Sequence, residues 1–324
     1  MGKTRSLADL TQSLRAFQES RVLLTAIELD VFSAVLEGAS AQAVASQLGT
    51  DPRATEMLLN ALVAIGALLK RGGLFRCSHE SQALAAGREG FLHMVNLWDT
   101  WSTLTACLRT GTAMTSGPRN PDGQADARTR AFISAMHARA REAAEETVQL
   151  TSIREARRML DVGGGSGAFS LAFAKACPDL HAEILDLGPV LPLAEGYIRE
   201  AGLQDRVSLR PGDMTASDFG EGYDLVLLSA VCHMFGEAEN RELIQRAAKA
   251  LAPGGHLVIR EFILEEDRTT PPSAALFALN MLVGTPRGNA YTEGDYRGWM
   301  EEAGLGDITR PDPEGDVILA RKPW

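Results

Sequence analysis

The 324-residue chain has no apolar run long enough to cross a bilayer, and its N-terminus lacks the apolar core of a secretory signal. Cysteine is scarce. The four present, Cys77, Cys107, Cys177 and Cys232, show no paired spacing, so they read as buried thiols in a reducing, cytoplasmic compartment rather than as a disulfide framework. Basic charge is in deficit: 32 Lys and Arg stand against 42 Asp and Glu, a formal net charge of -10, which disfavours a nucleic-acid partner because phosphate neutralisation needs a basic surface. His, Cys, Asp and Glu nowhere fall at metal-ligand spacing, so no metal is expected. There is no internal repeat and no low-complexity tract. Met1-Gly2-Lys3-Thr4-Arg5-Ser6 fits the loose myristoylation pattern, but that pattern fixes so few positions that coincidence is the better reading.

What the chain does have is an ordinary globular composition, 45% apolar and 23% charged, and length enough for two domains. The first third is helical by pattern. Val22, Leu23, Ala26, Ile27, Leu29, Val31, Phe32 and Leu36 are too dense for a thin apolar stripe, which predicts one well-buried helix. A helix over 41–48 ends at Gly49, and Asp51-Pro52 opens another that carries Met57, Leu58, Leu59, Ala61, Leu62 and Ile65. Lys70 to Cys77, with Gly72-Gly73 at its centre, reads as a hairpin. Helix, tight turn, helix, hairpin is a winged helix-turn-helix. From about Gly111 to Ala127 the chain is loop-like, and a long helix follows through Phe132, Met136 and Val148. After Arg157 the pattern changes to alternation, with strands predicted at 159–162, 182–185, 207–210, 225–229 and 256–262 and helices between most of them. Segments around Ile308 and 317–320 add an antiparallel edge pair. The fold class is therefore α/β, with a Rossmann-like, mostly parallel sheet behind a mostly helical N-terminal domain.

Three signals fall at the carboxyl ends of successive strands, where open α/β sheets place their ligands. The first is Asp161-Val162-Gly163-Gly164-Gly165-Ser166-Gly167, a buried strand running into a glycine turn and a helix. The second is Asp186, placed to reach a ribose hydroxyl pair. The third is Gly212-Asp213-Met214, an acid that can accept from an exocyclic amine and a soft apolar cover for a base. The glycines alone also fit a dinucleotide site. Asp161 separates the readings: it would repel a pyrophosphate, whereas the amine and sulfonium of S-adenosylmethionine (SAM) tolerate a neighbouring acid.

These motifs, with Leu185-Asp186-Leu187 and Pro253-Gly254-Gly255, resemble the class I SAM-dependent O-methyltransferases of the caffeic acid and hydroxyindole type, and more closely their bacterial relatives in secondary metabolism. The resemblance covers nearly the whole chain. It implies a winged-helix dimerisation domain over 1–105, linker helices over 106–152 that contribute to the acceptor pocket, and a SAM-binding catalytic domain over 153–324. It implies a homodimer acting on a small aromatic acceptor. In Leu228-Ser229-Ala230-Val231-Cys232-His233-Met234-Phe235 it assigns His233 as catalytic base, with Ser229 and Phe235 on the cofactor side; Met234 stands where the family carries an acid. Glu261 and Glu293 become the carboxylates that flank the histidine. The cofactor set is Asp161, Gly163, Gly165, Asp186, Leu187, Gly212, Asp213, Met214, Ser229 and Phe235. The acceptor set is Phe132, Met136, Phe277, Asn280 and Met281, with Trp98 and Trp101 at its border and His137 as a second-ranked proton acceptor. The competing readings are methylation of carbon or nitrogen, a SAM-binding relative that does not methylate, a dehydrogenase, and a winged-helix regulator.

Overall fold

A computed structural model describes residues 4–114 and 125–324; the centre of the loop expected at 111–127 and the first residues of the myristoylation match lie outside the described residues. The chain divides into two compact units, Met1–Trp98 and Asp99–Trp324, the boundary falling seven residues before the one expected at 105.

The first unit contains helices α1 (Leu7–Arg15), α2 (Phe17–Glu28), α3 (Val31–Ala34), α4 (Ala41–Leu48) and α5 (Pro52–Ala64), strands β1 (Leu68–Arg71) and β2 (Leu74–Cys77), then α6 (Gln82–Ala86) and most of α7 (Arg88–Trp101). The single long helix expected through Val22–Leu36 is two. Asp30 takes a left-handed conformation, φ 64°, and its carboxylate accepts from the Ser33 hydroxyl at 2.6 Å. The break turns Leu29 outward and lets Ile27, Val31, Phe32 and Val35 share one core. The winged helix forms as read. Gly49 closes α4 in the left-handed region, and Asp51 caps α5 by accepting from the Ala54 amide at 2.8 Å. The wing pairs β1 with β2 across Gly72-Gly73, and Ala39 adds a third-strand bridge to Phe75.

The second unit runs α8 (Leu104–Thr110), α9 (Ala127–Thr151), β3 (Arg158–Val162), α10 (Ala168–Ala176), β4 (His181–Asp186), α11 (Leu191–Ala201), β5 (Val207–Pro211), β6 (Tyr223–Ser229), a 3-10 turn (Cys232–Met234), α12 (Glu237–Ala250), β7 (Leu251–Arg260), β8 (Ile263–Leu264), α13 (Pro272–Gly284), β9 (Tyr291–Thr292), α14 (Glu293–Glu302), β10 (Gly306–Thr309) and β11 (Val317–Arg321). Its seven-stranded sheet has the order β10-β11-β7-β6-β3-β4-β5. The five strands from β7 to β5 are parallel; β11 and β10 run antiparallel at one edge, as the sequence suggested. Alternate residues of β6 supply the two faces: Val226 and Leu228 join one core, Leu225 and Leu227 the other. Strand order reverses at β3, so a crevice opens between the carboxyl ends of β3 and β6.

Strand β7 differs from expectation at both ends. It begins at Leu251 and absorbs Pro253-Gly254-Gly255 as an irregularity, the ladder shifting between Tyr223 and Leu225. It stops at Arg260 rather than Phe262, because Glu261 turns inward to His233 while Phe262 stacks on Phe277. The four cysteines are free and buried. Among the described residues, no helix is long and apolar enough to cross a membrane and no group of acids, His and Cys could hold a metal.

Asp51→Ala should lower the stability of the N-terminal unit by about 1 kcal/mol while Asp51→Asn changes it little, since only the cap acceptor differs. Urea unfolding of the two variants measures this; equal losses would reject the capping assignment.

Candidate active site

The glycine turn comes first in the chain. Gly163 sits at φ 68°, and a Cβ there would come within 2.7 Å of the Met214 methyl and 3.1 Å of Val231. Gly167, at φ 76°, has the Ile184 methyl 2.5 Å from any Cβ. Only glycine combines that backbone with that closeness. Met214 therefore lies against Gly163, bringing two of the expected cofactor residues together across separate strands.

Asp186 organises the turn. Its carboxylate accepts from the Gly165 amide and from the Leu187 amide, both at 2.7 Å. Burial raises its pKa, and the two amides oppose the rise. The Gly212 amide bonds back to the Asp186 carbonyl at 2.9 Å, and a Cβ on Gly212 would strike Ser217 and Leu185. Asp213 bends its carboxylate onto Thr215, accepting from that amide at 2.8 Å and that hydroxyl at 2.7 Å. Ser229, at the carboxyl end of β6, keeps a buried hydroxyl with no hydrogen-bond partner among the described residues. Ala230 follows in the left-handed region, φ 56°, a conformation rare for a residue with a Cβ.

Asp161 is not where the sequence placed it. Expected at the mouth of the turn, it is instead buried behind it, 1% exposed, accepting from the Ser170 hydroxyl of α10 at 2.7 Å. A Cβ on Gly164 would meet it at 2.7 Å, so the turn's own backbone covers it. The cause is parity: Asp161 shares its strand face with Met159, the face that α10 covers. Burial pushes its pKa up to about 7; the Ser170 bond pulls it back and the charge of Asp186 adds to the rise.

The second group of residues surrounds His233. The 3-10 turn after β6 wraps the imidazole around the end of β7, where Glu261 is 3% exposed. One Glu261 oxygen accepts from the Val231 amide at 2.7 Å and the His233 amide at 3.3 Å; the other accepts from His233 Nδ1 at 2.7 Å. With Nδ1 donating to the carboxylate, Nε2 carries the lone pair. Phe277 stands edge-on to the imidazole at 4.8 Å and stacks on Phe262 at 3.8 Å. Asn280, one turn along α13, accepts from the Trp101 indole at 2.8 Å, and Met281 is buried beside it. The half-buried amide of Asn280 is thus paired. Phe235 is buried in the core that Met214 also packs against.

Two further expectations are corrected. Glu293 does not flank His233: its two oxygens take Arg297 at 2.6 Å and Arg310 at 3.2 Å, and although burial works to raise its pKa, the bonds from Arg297 and Arg310 prevail and lower it. It opens α14, where a carboxylate also favours the helix N-terminus. Phe132 is 43% exposed and Met136 half-buried, because α9 turns a different face to the glycine turn: Ile133 reaches 3.7 Å from a Cβ on Gly165, and His137 meets the Ser166 hydroxyl at 2.9 Å. His137 also stacks on Tyr197 at 3.7 Å, and burial lowers its pKa, so it serves as a clasp on the turn. Trp98 belongs to the first unit, with the Arg21 guanidinium over its ring. Sequence reasoning missed Ile133 and Phe262. The i,i+4 spacing of Ile133 and His137 could have found the first.

Residues 114–306 match the model of the O-methyltransferase domain and residues 11–86 that of the O-methyltransferase dimerisation domain. The chain is 31% identical over 310 residues to 3-hydroxy-5-methyl-1-naphthoate 3-O-methyltransferase of Streptomyces sahachiroi, covering 92% of this chain and 89% of that protein. It is 28% identical over 331 residues to L-tyrosine C(3)-methyltransferase of Streptomyces lavendulae, covering 93% and 88%. The solved structure of human N-acetylserotonin methyltransferase in complex with SAM shares the fold, with a TM-score of 0.83 at 23% identity over 100% of both chains.

The raised pKa of Asp161 makes stability depend on pH. Unfolded, this carboxyl ionises near 3.8; in the fold it ionises near 7, so the native state holds an extra proton in between and stability falls as pH rises across that window. Asp161→Asn keeps an oxygen for Ser170 and carries no charge. Its melting temperature should gain on that of the parent protein from about pH 4 to about pH 7 and then hold the gain. A difference that does not vary with pH would show that Asp161 is not held protonated by burial.

Proposed function

The chain belongs to the O-methyltransferase family of SAM-dependent methyltransferases (EC 2.1.1.-), and from that premise we propose that it methylates a hydroxyl of a small aromatic acceptor with His233 as general base. The observation that carries this reading is the 2.7 Å bond between Glu261 and His233 Nδ1, which leaves Nε2 as an acceptor beside the flat Phe262–Phe277 wall. A phenolic hydroxyl is largely protonated at neutral pH, so a base positioned at Nε2 raises its nucleophilicity. The Glu261 carboxylate then supports the imidazolium that forms. A base placed in this way contributes ~10²–10⁴-fold.

The residues at the strand ends suit SAM. The Ser229 hydroxyl is buried and unmatched, as a ligand contact would be before the ligand arrives. Asp186, fixed by two backbone amides, suits a ribose, and Asp213 and Met214 suit the base. Gly163, Gly165, Leu187 and Gly212 shape the cleft, Phe235 backs it, and Asp161 stiffens the turn from behind without touching the ligand. Bound SAM supplies an already activated methyl group, so the protein has no leaving group to activate. What remains for this chain is orientation and proton removal, and orientation alone can offset several kcal/mol of barrier. Phe277, Asn280 and Met281 form the acceptor side.

The same reading makes the protein a homodimer in a reducing, cytoplasmic setting. It rests on the dimerisation-domain match, the free buried thiols, and Leu7, Leu10 and Leu14 exposed along one side of α1. The relative that methylates C3 of tyrosine frames the alternative, because a phenol-activated carbon would use the same base.

His233→Ala should leave SAM affinity nearly intact in calorimetry while kcat for methyl transfer to a phenolic acceptor falls by ~10²-fold or more. Glu261→Gln should follow in the same direction, whereas Glu293→Gln should stay within about threefold of the parent, since its carboxylate serves Arg297 and Arg310. Unchanged turnover in His233→Ala would reject the base, and a methyl found on carbon by mass spectrometry would select the alternative. Asp186→Ala should weaken SAM binding by about 1–3 kcal/mol through loss of a charge-assisted bond; unaltered affinity would reject that placement.

A further inference from the structure

Helix α9 carries a cation that no carboxylate answers among the described residues. Arg139, one turn beyond Met136, is exposed and makes no ion pair among the described residues. Glu142 shares its side of the helix without reaching it, and Arg141 bears on His137 instead. The Arg139 guanidinium lies over the ring of Phe262, 5.6 Å from the centroid. Phe262 in turn stacks on Phe277 and stands 6.4 Å from His233. Those two distances hold the guanidinium within roughly 12 Å of the imidazole, a span that a two-ring arene with a carboxyl arm bridges.

A phenylalanine face holds a cation only weakly, whereas a carboxylate meets a guanidinium in two parallel charge-assisted bonds. The Phe262 contact therefore steadies Arg139 without using up its donors. The protein as a whole carries a formal charge of -10, so its field opposes an approaching anion. A cation with no ion pair among the described residues, next to the flat aromatic wall, reverses that locally.

We propose that the acceptor is an anionic hydroxyarene, a hydroxyl and a carboxylate on one flat ring system, with Arg139 reading the carboxylate while His233 serves the hydroxyl. This rests on the hydroxyl-methylation reading above. Arg139 is then the residue that sets acceptor specificity, and its part is in binding rather than in proton transfer.

The test separates the two claims. Binding of hydroxynaphthoates, with hydroxyl and carboxylate adjacent or across the ring system, is titrated by fluorescence beside that of their neutral methyl esters. The parent protein should bind at least one acid about tenfold more tightly than its ester, the margin shrinking with added salt. Arg139→Gln should bring the two within about twofold of each other, and Arg139→Lys should restore part of the preference. Equal affinity for acid and ester in the parent, an equal loss for both in Arg139→Gln, or no binding of any acid would overturn the proposal. Methyl transfer from labelled SAM is scored separately on the same compounds: acids bound through Arg139 and left unmethylated would defeat the hydroxyl-transfer reading, not the charge recognition.

Discussion

A buried carboxylate has to be answered by donors, and Glu261 is answered by three N–H groups from one short turn. Two are the backbone amides of Val231 and His233, and the third is the imidazole itself. Burying such a charge without partners would be strongly unfavourable. The turn after β6 is therefore obliged to fold around the end of β7, and the parallel pairing of those two strands brings them within reach. Ala230 accepts a left-handed backbone to make the corner. The position of His233, the choice of which ring nitrogen carries the lone pair, and the early end of β7 all follow from satisfying one carboxylate. Phe262 is released by the same event: once Glu261 turns inward the next residue turns outward, and its ring becomes the wall on which Phe277 stacks.

The glycine turn obeys a similar rule with a different outcome. Asp186 has its two backbone donors and stays half-buried at the crevice, available to a ligand. Asp161 has one hydroxyl donor and almost no exposure, and its proton is correspondingly hard to remove. The two acids that the sequence ranks together thus have separate places, one at the crevice and one beneath the turn. What decides between them is the direction in which each side chain leaves its strand.

The alternation of strands and helices after Arg157, the antiparallel edge, the wing and the cap at Asp51 were all legible, because each rests on local periodicity or on a backbone conformation that few residues can adopt. The Glu261–His233 pair was reached through resemblance rather than spacing, since the two residues are far apart in the chain and only the sheet joins them. Glu293 was misread for the same reason. Its i,i+4 partner Arg297 is local to α14, but nothing nearby marks Arg310, which takes its other oxygen from a later segment. The single helix expected from Val22 to Leu36 failed on one residue: apolar density speaks for burial, but it does not reveal that Asp30 will leave the helical region and turn Leu29 to the surface.

The division of labour that emerges has a consequence for specificity. The donor side is built from strand ends and backbone amides, where glycine at Gly163 and Gly167 leaves little freedom to change. The proposed acceptor side is made of side chains of α13 and of Phe262, which make no contact with the glycine turn among the described residues; Ile133 and His137 of α9 do make one. Under the proposed assignment Asn280 and Arg139 can be replaced without disturbing the cofactor cleft, whereas Asp186 and Gly163 are tied into the glycine turn itself. A fold partitioned in this way can keep one methyl-donor site while the acceptor atom changes from oxygen to carbon, and the names of the two Streptomyces relatives include one of each. The proposed base and its carboxylate would serve either acceptor, because any acceptor that must lose a proton as it gains a methyl group needs a lone pair held in that place.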